Sequence, residues 1–310
     1  MSKSLRLLGL VNIDFKMRVI DGLLIKSGKA KEMIGGVDIQ TVSVDYPYEL
    51  GDRSIVINVP YVPGSSLKGR ARSLLEVALG LPLKTTDRKI YLHMRVVADK
   101  IEESDPFCPV DNVFGSSSIS PDKLVNNSWW LDCWAPTRAL FSDLKPSIDY
   151  VKKLAQEKGH LGLTFSDFVE EKWENRIDRV TSAADPRNAL RVKPGVEFEG
   201  RINFLVFDRD ICPNEECVKK SDEKTQKSIR EMGSPALYYL YNLFKSLALV
   251  EETYLGSSGT RGYGRVKFEN IKINIKEVGS LNVKAQREYK TLSEVLEKFN
   301  ELKGAFGFQC

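Results

Sequence analysis

Pro63-Gly64-Ser65-Ser66-Leu67-Lys68-Gly69-Arg70-Ala71-Arg72 joins a strand to a helix, and the manner of the join sets the architecture. Ahead of it, Ile55, Ile57 and Val59 occupy alternate positions between Ser54 and Pro60, the period of a half-buried strand. Behind it, Leu67, Ala71, Leu74 and Ala78 recur at helical spacing and predict an amphipathic helix over roughly 66–79. Pro63-Gly64 is a turn signal, and Ser65 or Ser66 is expected to cap the helix by accepting a hydrogen bond from a first-turn amide. Lys68 and Arg72 share one helix face, beside a helix start whose free amides carry partial positive charge. With Arg70 and a glycine that admits another backbone, these residues make a candidate phosphate site. The alternative is a capped helix with a solvated basic face.

Outward from this motif the chain divides into core elements and long connections. Val11, Ile13, Phe15, Met17 and Val19 alternate with polar residues and predict a strand over 10–20. Residues 22–53 read as a glycine- and charge-rich loop or irregular hairpin, 90–97 and 129–140 as strands, and 196–208 as a strong strand. A polar connection over 210–233 precedes a helix opened by Ser234-Pro235 and running to about Glu252, a last strand over 265–276 and a terminal amphipathic helix near 292–302. Two split βαβ halves follow from that order. They predict an α+β fold, a ferredoxin-like or RNA-recognition-motif-like sheet with helices on one face. The expectation is one elaborated domain over 1–310, with inserted segments at about 22–53, 81–130 and 142–195 and a terminal helix within 287–310.

The net charge of +4 over 310 residues is only mildly basic, so any nucleic-acid surface must come from clustering. The densest cluster outside the opening motif is Arg176, Arg179, Arg187, Arg191 and Lys193. A glycine-rich loop, Gly256-Ser257-Ser258-Gly259-Thr260-Arg261-Gly262-Tyr263-Gly264, offers backbone amides and the Arg261 charge to a phosphate, and Tyr263 for stacking on a base. It follows a helix rather than a strand, which argues against a nucleotide-cofactor site. The absence of a leader or a long apolar run predicts a soluble intracellular protein with no membrane partner. Five cysteines without a framework spacing favour reduced thiols or metal over disulfides. With His93 and His160 as the two histidines, a two-histidine ribonuclease mechanism is poorly supplied, and His160 reads as a surface residue at a helix end.

P-G-S-S-L-K-G-R-x-R, followed nearly two hundred residues later by G-x-R-G-x-G-x-V, resembles the signatures of the repeat-associated mysterious protein (RAMP) superfamily. Within it, the likeness is to the Cas seven-type backbone subunit of type III (Csm-type) CRISPR effector complexes. The resemblance implies a subunit that stacks with further copies of itself in a filament along one CRISPR RNA, beside other type III effector subunits, and pairs the guide with target RNA. It implies that Ser65, Ser66, Lys68, Arg70 and Arg72 grip the guide backbone. The segment holding Arg179, Arg187 and Arg191 corresponds to a thumb hairpin pressing on the duplex, and Arg261 and Tyr263 belong to the C-terminal glycine-rich loop. Gly35-Gly36-Val37-Asp38 matches a G-G-x-D loop whose aspartate is needed for target cleavage, so Asp38 is the expected catalytic residue, acting with a divalent ion such as Mg2+. Many relatives also carry zinc on H-x-C and C-x-x-C. Here those stretches read His93-Met94-Arg95 and Cys108-Pro109-Val110-Asp111, leaving His93, Cys108 and Asp111 as a degenerate set with Cys133 as a conditional fourth, so structural Zn2+ is expected to be lost. Two other readings remain: a non-catalytic guide-binding scaffold, and a RAMP nuclease that processes the guide precursor.

Overall fold

The computed structural model describes residues 4–26, 39–51, 53–97, 100–101, 105–120 and 129–308. In chain order, β1 (Leu7–Val19) is followed by β2 (Ile39–Gln40), β3 (Ser43–Leu50), β4 (Arg53–Pro60) and helix α1 (Gly64–Ala78). Short elements come next: β5 (Val96–Val97), β6 (Lys100–Ile101), α2 (Pro109–Phe114), α3 (Trp130–Cys133), β7 (Ala139–Phe141) and β8 (Lys145–Pro146). Helices α4 (Ile148–Lys158) and α5 (Phe165–Phe168) lead into the hairpin of β9 (Val169–Ile177) and β10 (Ala184–Val192). The chain returns through β11 (Glu197–Phe207), α6 (Asp208–Ile211), α7 (Glu215–Lys220), α8 (Glu223–Met232) and α9 (Pro235–Glu252). It ends with β12 (Val266–Glu277), β13 (Val283–Thr291), α10 (Leu292–Glu297) and α11 (Phe299–Phe306).

The main sheet runs β13-β12-β1-β11-β7, with β8 also paired to β11, and every pairing is antiparallel. With β8 and β13 set aside, β1–α1–β7–β11–α9–β12 is the strand-helix-strand-strand-helix-strand order of a ferredoxin-like fold, with β1 and β11 central. The period-two pattern of β1 explains its place. Val11, Ile13, Phe15, Met17 and Val19 are buried under α1 and α9 with Phe198, Ile202 and Phe204 of β11 and Phe268, Ile271 and Ile273 of β12. The opposite face is polar and crossed by pairs between neighbouring strands: Asn12 donates to Asn203 at 2.6 Å, and Arg18 meets Glu269 at 2.6 Å. A second, smaller core lies apart from the first, where Tyr48, Ile57 and Val59 of the β3–β4 hairpin pack on Val151 and Ala155 of α4 and on Phe168.

Several sequence expectations are corrected. Of the segment read as loop or irregular hairpin, residues 43–50 form the regular strand β3: Val44, Tyr46, Tyr48 and Leu50 alternate toward the second core, and Pro47, on the exposed face, is tolerated because the hairpin has only two strands. Of the strand expected over 90–97, β5 forms, and Leu92 makes a single bridge to Lys84. Residues 130–133 are helical, because the rings of Trp129, Trp130 and Trp134 pack on one another rather than across a sheet. The polar 210–233 connection is three helices, two of them capped by Asn214 and Asp222 side chains. The 142–195 segment contains helix α4, capped by Ser147, besides the hairpin. An unforeseen strand, β13, extends the sheet edge; its residues are mostly exposed and charged, so it carries little apolar alternation. The expectation of reduced thiols fails at Cys133 and Cys217, which form a disulfide once α3 and α7 are brought together; spacing in sequence cannot reveal such a pairing. Cys108 is the free cysteine among the described residues.

Arg138 ties the helical layer to the sheet. It is 1% exposed and reaches Asp210 at 2.7 Å, Asn112 Oδ1 at 2.8 Å and the carbonyls of Ala135 and Pro136, between the rings of Phe207 and Tyr239. Removing one partner of such a pair strands a buried charge. Arg138→Met is therefore expected to lower the unfolding free energy by about 3–5 kcal/mol. Arg138→Met with Asp210→Leu should recover part of that loss, both read by urea denaturation.

Candidate nucleic-acid interface

The opening motif forms α1, but its start is not capped by serine. Pro63 holds the N-cap position without a side-chain bond, and the Gly64 amide donates instead to Asp143 Oδ1 at 2.8 Å. Gly64 is required by packing: a Cβ there would lie 2.6 Å from the Phe141 carbonyl oxygen. Ser65 is exposed and Ser66 half-buried. Lys68 is half-buried, and desolvation with the nearby Arg72 charge holds its ammonium below the usual lysine range. Gly69 is exposed, with no atom within 4 Å of where a Cβ would stand.

The two arginines of the motif face inward. Arg70 donates to the Tyr254 carbonyl at 2.9 Å and to Thr253 Oγ1 at 3.3 Å, with its guanidinium 4.1 Å from the centre of the Tyr254 ring. It fastens α1 to the end of α9. Arg72 binds Glu76 at 2.7 Å and the carbonyls of Gly115 and His93 at 2.7 and 2.8 Å. Both of these residues, expected to grip the guide backbone, have partners within the protein.

The expected thumb is the β9–β10 hairpin, in register from Val169↔Val192 to Ile177↔Ala184. At its tip, Asp178 accepts bonds from the amides of Val180 and Thr181, which keep its carboxyl below the usual range. Arg179 is exposed at this tip, while Arg176 and Arg187 are exposed and lean on Asp185 at 2.8 and 3.5 Å. At its base, Arg191 turns inward, held by Glu170 at 2.8 Å and by the Gly262 carbonyl at 3.3 Å.

Tyr263 is 1% exposed, so the stacking on bases expected of it is not open to it. Lys172 and Arg191 lie over its ring, 4.1 and 4.8 Å from its centre, and Leu24, Ala189 and Ile39 pack with it. Burial and Glu174 push its phenol up to about 12. Glu174 also pairs with Arg261 at 3.1 Å, and Lys172 donates to the Arg261 carbonyl at 2.9 Å. Lys172 and Glu174 escaped the sequence reading; their spacing on β9 places them on one face, and only the fold brings the glycine-rich loop beneath it. In that loop Gly264, at φ +78°, would place a Cβ 2.0 Å from the Leu255 carbonyl oxygen, so this glycine serves internal packing.

Asp38 and the preceding Gly35-Gly36 lie outside the described residues, as does Cys310. Ile39, next to Asp38, pairs in parallel with Ala189 of the hairpin, and Thr41 bridges to Lys26 on the other stem. That stem is fixed in turn: Leu23 pairs with Val192, and the Leu24 carbonyl accepts from the Ser257 amide at 2.8 Å. Both stems of the 27–38 segment thus meet at the hairpin base and the glycine-rich loop.

The degenerate metal set does assemble. His93 Nε2 lies 3.2 Å from Asp111 Oδ2 and 3.5 Å from Cys108 Sγ, all buried. Burial opposes a charge on His93, but hydrogen bonds to Asp111 and Cys108 outweigh it and push the imidazole up to about 10. Burial likewise opposes the Asp111 charge, yet His93 and the Arg95 and Arg72 charges hold that carboxyl below its usual range. His160 is exposed on a different lobe, after α4.

A family model described as RAMP superfamily matches residues 33–267. The chain belongs to the RAMP superfamily. Among curated RAMP relatives, the CRISPR system Cms endoribonuclease Csm3 of Methanothermobacter thermautotrophicus is 29% identical over 283 residues, covering 88% of this chain and 91% of that protein. The protein of the same name from Methanocaldococcus jannaschii is 26% identical, covering 99% of each. The Csm3 crystal structure from Methanopyrus kandleri matches 98% of this chain and 100% of that one with a TM-score of 0.54 at 18% identity, a likeness of fold. Among the described residues, no helix of this RAMP protein is long and apolar enough to cross a membrane.

The Tyr263 junction predicts a graded response. Tyr263→Ala empties a buried ring site and is expected to cost about 3–5 kcal/mol. Tyr263→Phe keeps the ring under its two cations and should cost under about 1.5 kcal/mol. Urea denaturation measures both, and hydrogen exchange should show the loss of protection concentrated at the hairpin base.

Proposed function

We propose that this RAMP protein is a backbone subunit of a type III CRISPR ribonucleoprotein, which binds CRISPR RNA in the company of further copies of itself and other effector subunits, and cuts complementary target RNA as an endoribonuclease. Relatives at 26–29% identity that align over most of both lengths carry the name endoribonuclease Csm3, which supports the reading. The observation that carries the site assignment is the anchoring of Ile39: the residue following Asp38 is bound to the exposed hairpin whose tip bears Arg179. A carboxylate next to that anchor in sequence suits a cut made by the RNA's own 2′-hydroxyl. That reaction needs the attacking oxygen in line with phosphorus, a group to take its proton and charge to balance the phosphate. Asp38 supplies the base or one oxygen ligand for Mg2+ when the ion is bound. Phosphate contacts of this kind hold RNA without reading its sequence, which passes to base pairing in the cell's cytoplasm.

On this reading the RNA-gripping residues are those at the surface. Ser65, Ser66 and Lys68 remain beside the open Gly69 face, while Arg179, Arg187 and Arg261 are exposed on the hairpin and loop. Arg70, Arg72, Arg191 and Tyr263 support these positions from beneath. The guide-processing alternative is disfavoured because His93 is buried and His160 lies on another lobe.

In reconstituted complexes, Asp38→Ala is expected to abolish regularly spaced cuts in a complementary RNA while leaving its binding intact. Withdrawal of Mg2+ should have the same effect. Unchanged cutting by Asp38→Ala would move the active site elsewhere, and no cutting by the unaltered complex would support the scaffold reading. Gly69→Ala separates fold from binding. The empty space around Gly69 allows the methyl, so helix propensity should raise stability by about 0.5–1 kcal/mol. Its guide affinity should nevertheless fall, measured by filter binding, because the methyl occupies the approach of the RNA backbone.

A further inference from the structure

His93, Cys108 and Asp111 offer donor atoms within 4.8 Å of one another, at the place where many of the proteins this sequence resembles carry a zinc ion. The residues present do not fit it. A structural zinc takes four nitrogen, sulfur or oxygen donors, and this cluster supplies three among the described residues. Cys133, the conditional fourth, is bonded to Cys217.

The space beside Asp111 is taken by a cation of the protein's own. Arg95 Nε lies 3.4 Å from Asp111 Oδ2, the same oxygen that meets His93 Nε2 at 3.2 Å. The arginine is 1% exposed, and its Nη2 donates to the Pro106 carbonyl at 3.4 Å. The Trp130 and Trp134 rings lie 5.3 and 5.2 Å from its guanidinium carbon, which fixes the group in place.

We propose that Arg95 does here what a zinc ion would do: it is a built-in cation that holds the 93–95 segment to the start of α2, and the protein folds without structural metal. Charge balance supports this directly. Asp111 already has a buried positive partner, and a divalent ion placed against the same carboxylate would face the charge of a guanidinium packed against two indoles. The cross-linking that a metal would provide is also supplied by protein groups. Arg72 grips the carbonyls of His93 and Gly115 from α1, and Asn112 Nδ2 donates to those of Pro106 and Cys108, at 2.9 Å each.

The test uses the full-length chain, purified without chelator from zinc-supplemented culture. Elemental analysis is expected to find far less than one zinc per chain, and the melting temperature should not move with EDTA or with added zinc chloride. One zinc per chain, or a melting temperature that falls with EDTA, overturns the proposal. Arg95→Cys removes the cation and supplies a fourth donor. It is expected to gain one zinc per chain and a zinc-dependent rise in melting temperature, or, if it is insoluble without the metal, to be recovered by refolding with zinc. A cysteine variant that behaves identically with and without zinc shows that Arg95 is not what stands in for the metal, and overturns the proposal as well.

Discussion

The ring of Tyr263 is the point on which the functional half of the molecule depends. Three separate excursions of the chain converge on it: the stem ending in Leu24 and Lys26, the hairpin base at Ala189 and Arg191, and the glycine-rich loop. Each alone is a loop or an open hairpin with little apolar surface to bury. Together they form a small core of Leu24, Ile39, Ala189 and Tyr263, with the two cations Lys172 and Arg191 over the ring. The main sheet provides the platform, since β11 and β12 emerge from this junction on either side of β1. The hairpin is thereby coupled to the same few residues that fix the ends of the 27–38 segment.

Arginine plays a second, less visible part. Arg70, Arg72, Arg138 and Arg209 spend their donors on backbone carbonyls left over at helix ends and in irregular connections. A guanidinium presents five N–H groups in a fixed plane and keeps its charge when buried, so it can bind several such carbonyls at once. This use of arginine fits a chain rich in short helices and long connections, where regular secondary structure leaves many carbonyls without partners.

The same fact explains what could be read from the sequence. Alternation exposed β1, β4 and β11, helical spacing exposed α1, and Ser234-Pro235 marked the start of α9; these set the ferredoxin-like order. The hydrophobic period did not report β13, because its residues are mostly polar and exposed; in β3 the period is present at Val44, Tyr46, Tyr48 and Leu50 but lies inside a segment whose glycines and charges read as loop or irregular hairpin. At the site, residue type indicated positive charge but could not tell which arginines face solvent. Arg70 and Arg72 lie in the same motif as Lys68, yet whether each meets an RNA phosphate or a carbonyl is decided by Tyr254, Gly115 and His93, all distant in sequence. Tyr263 was legible as an aromatic in a glycine-rich loop, and its burial followed only from the meeting of three segments.

The parallel pairing of Ile39 with Ala189 has a bearing on how this part of the chain can vary. Residues can be added between Lys26 and Gly35 or between Asp38 and Ile39, and the two positions are not equivalent. Because Asp38 directly precedes the paired residue, additions at the first position lengthen only the far arm and leave the covalent distance from the carboxylate to its anchor unchanged. An insertion on the Lys26 side of the aspartate therefore leaves it adjacent to Ile39, while a single insertion on the other side would shift it by one residue against the hairpin.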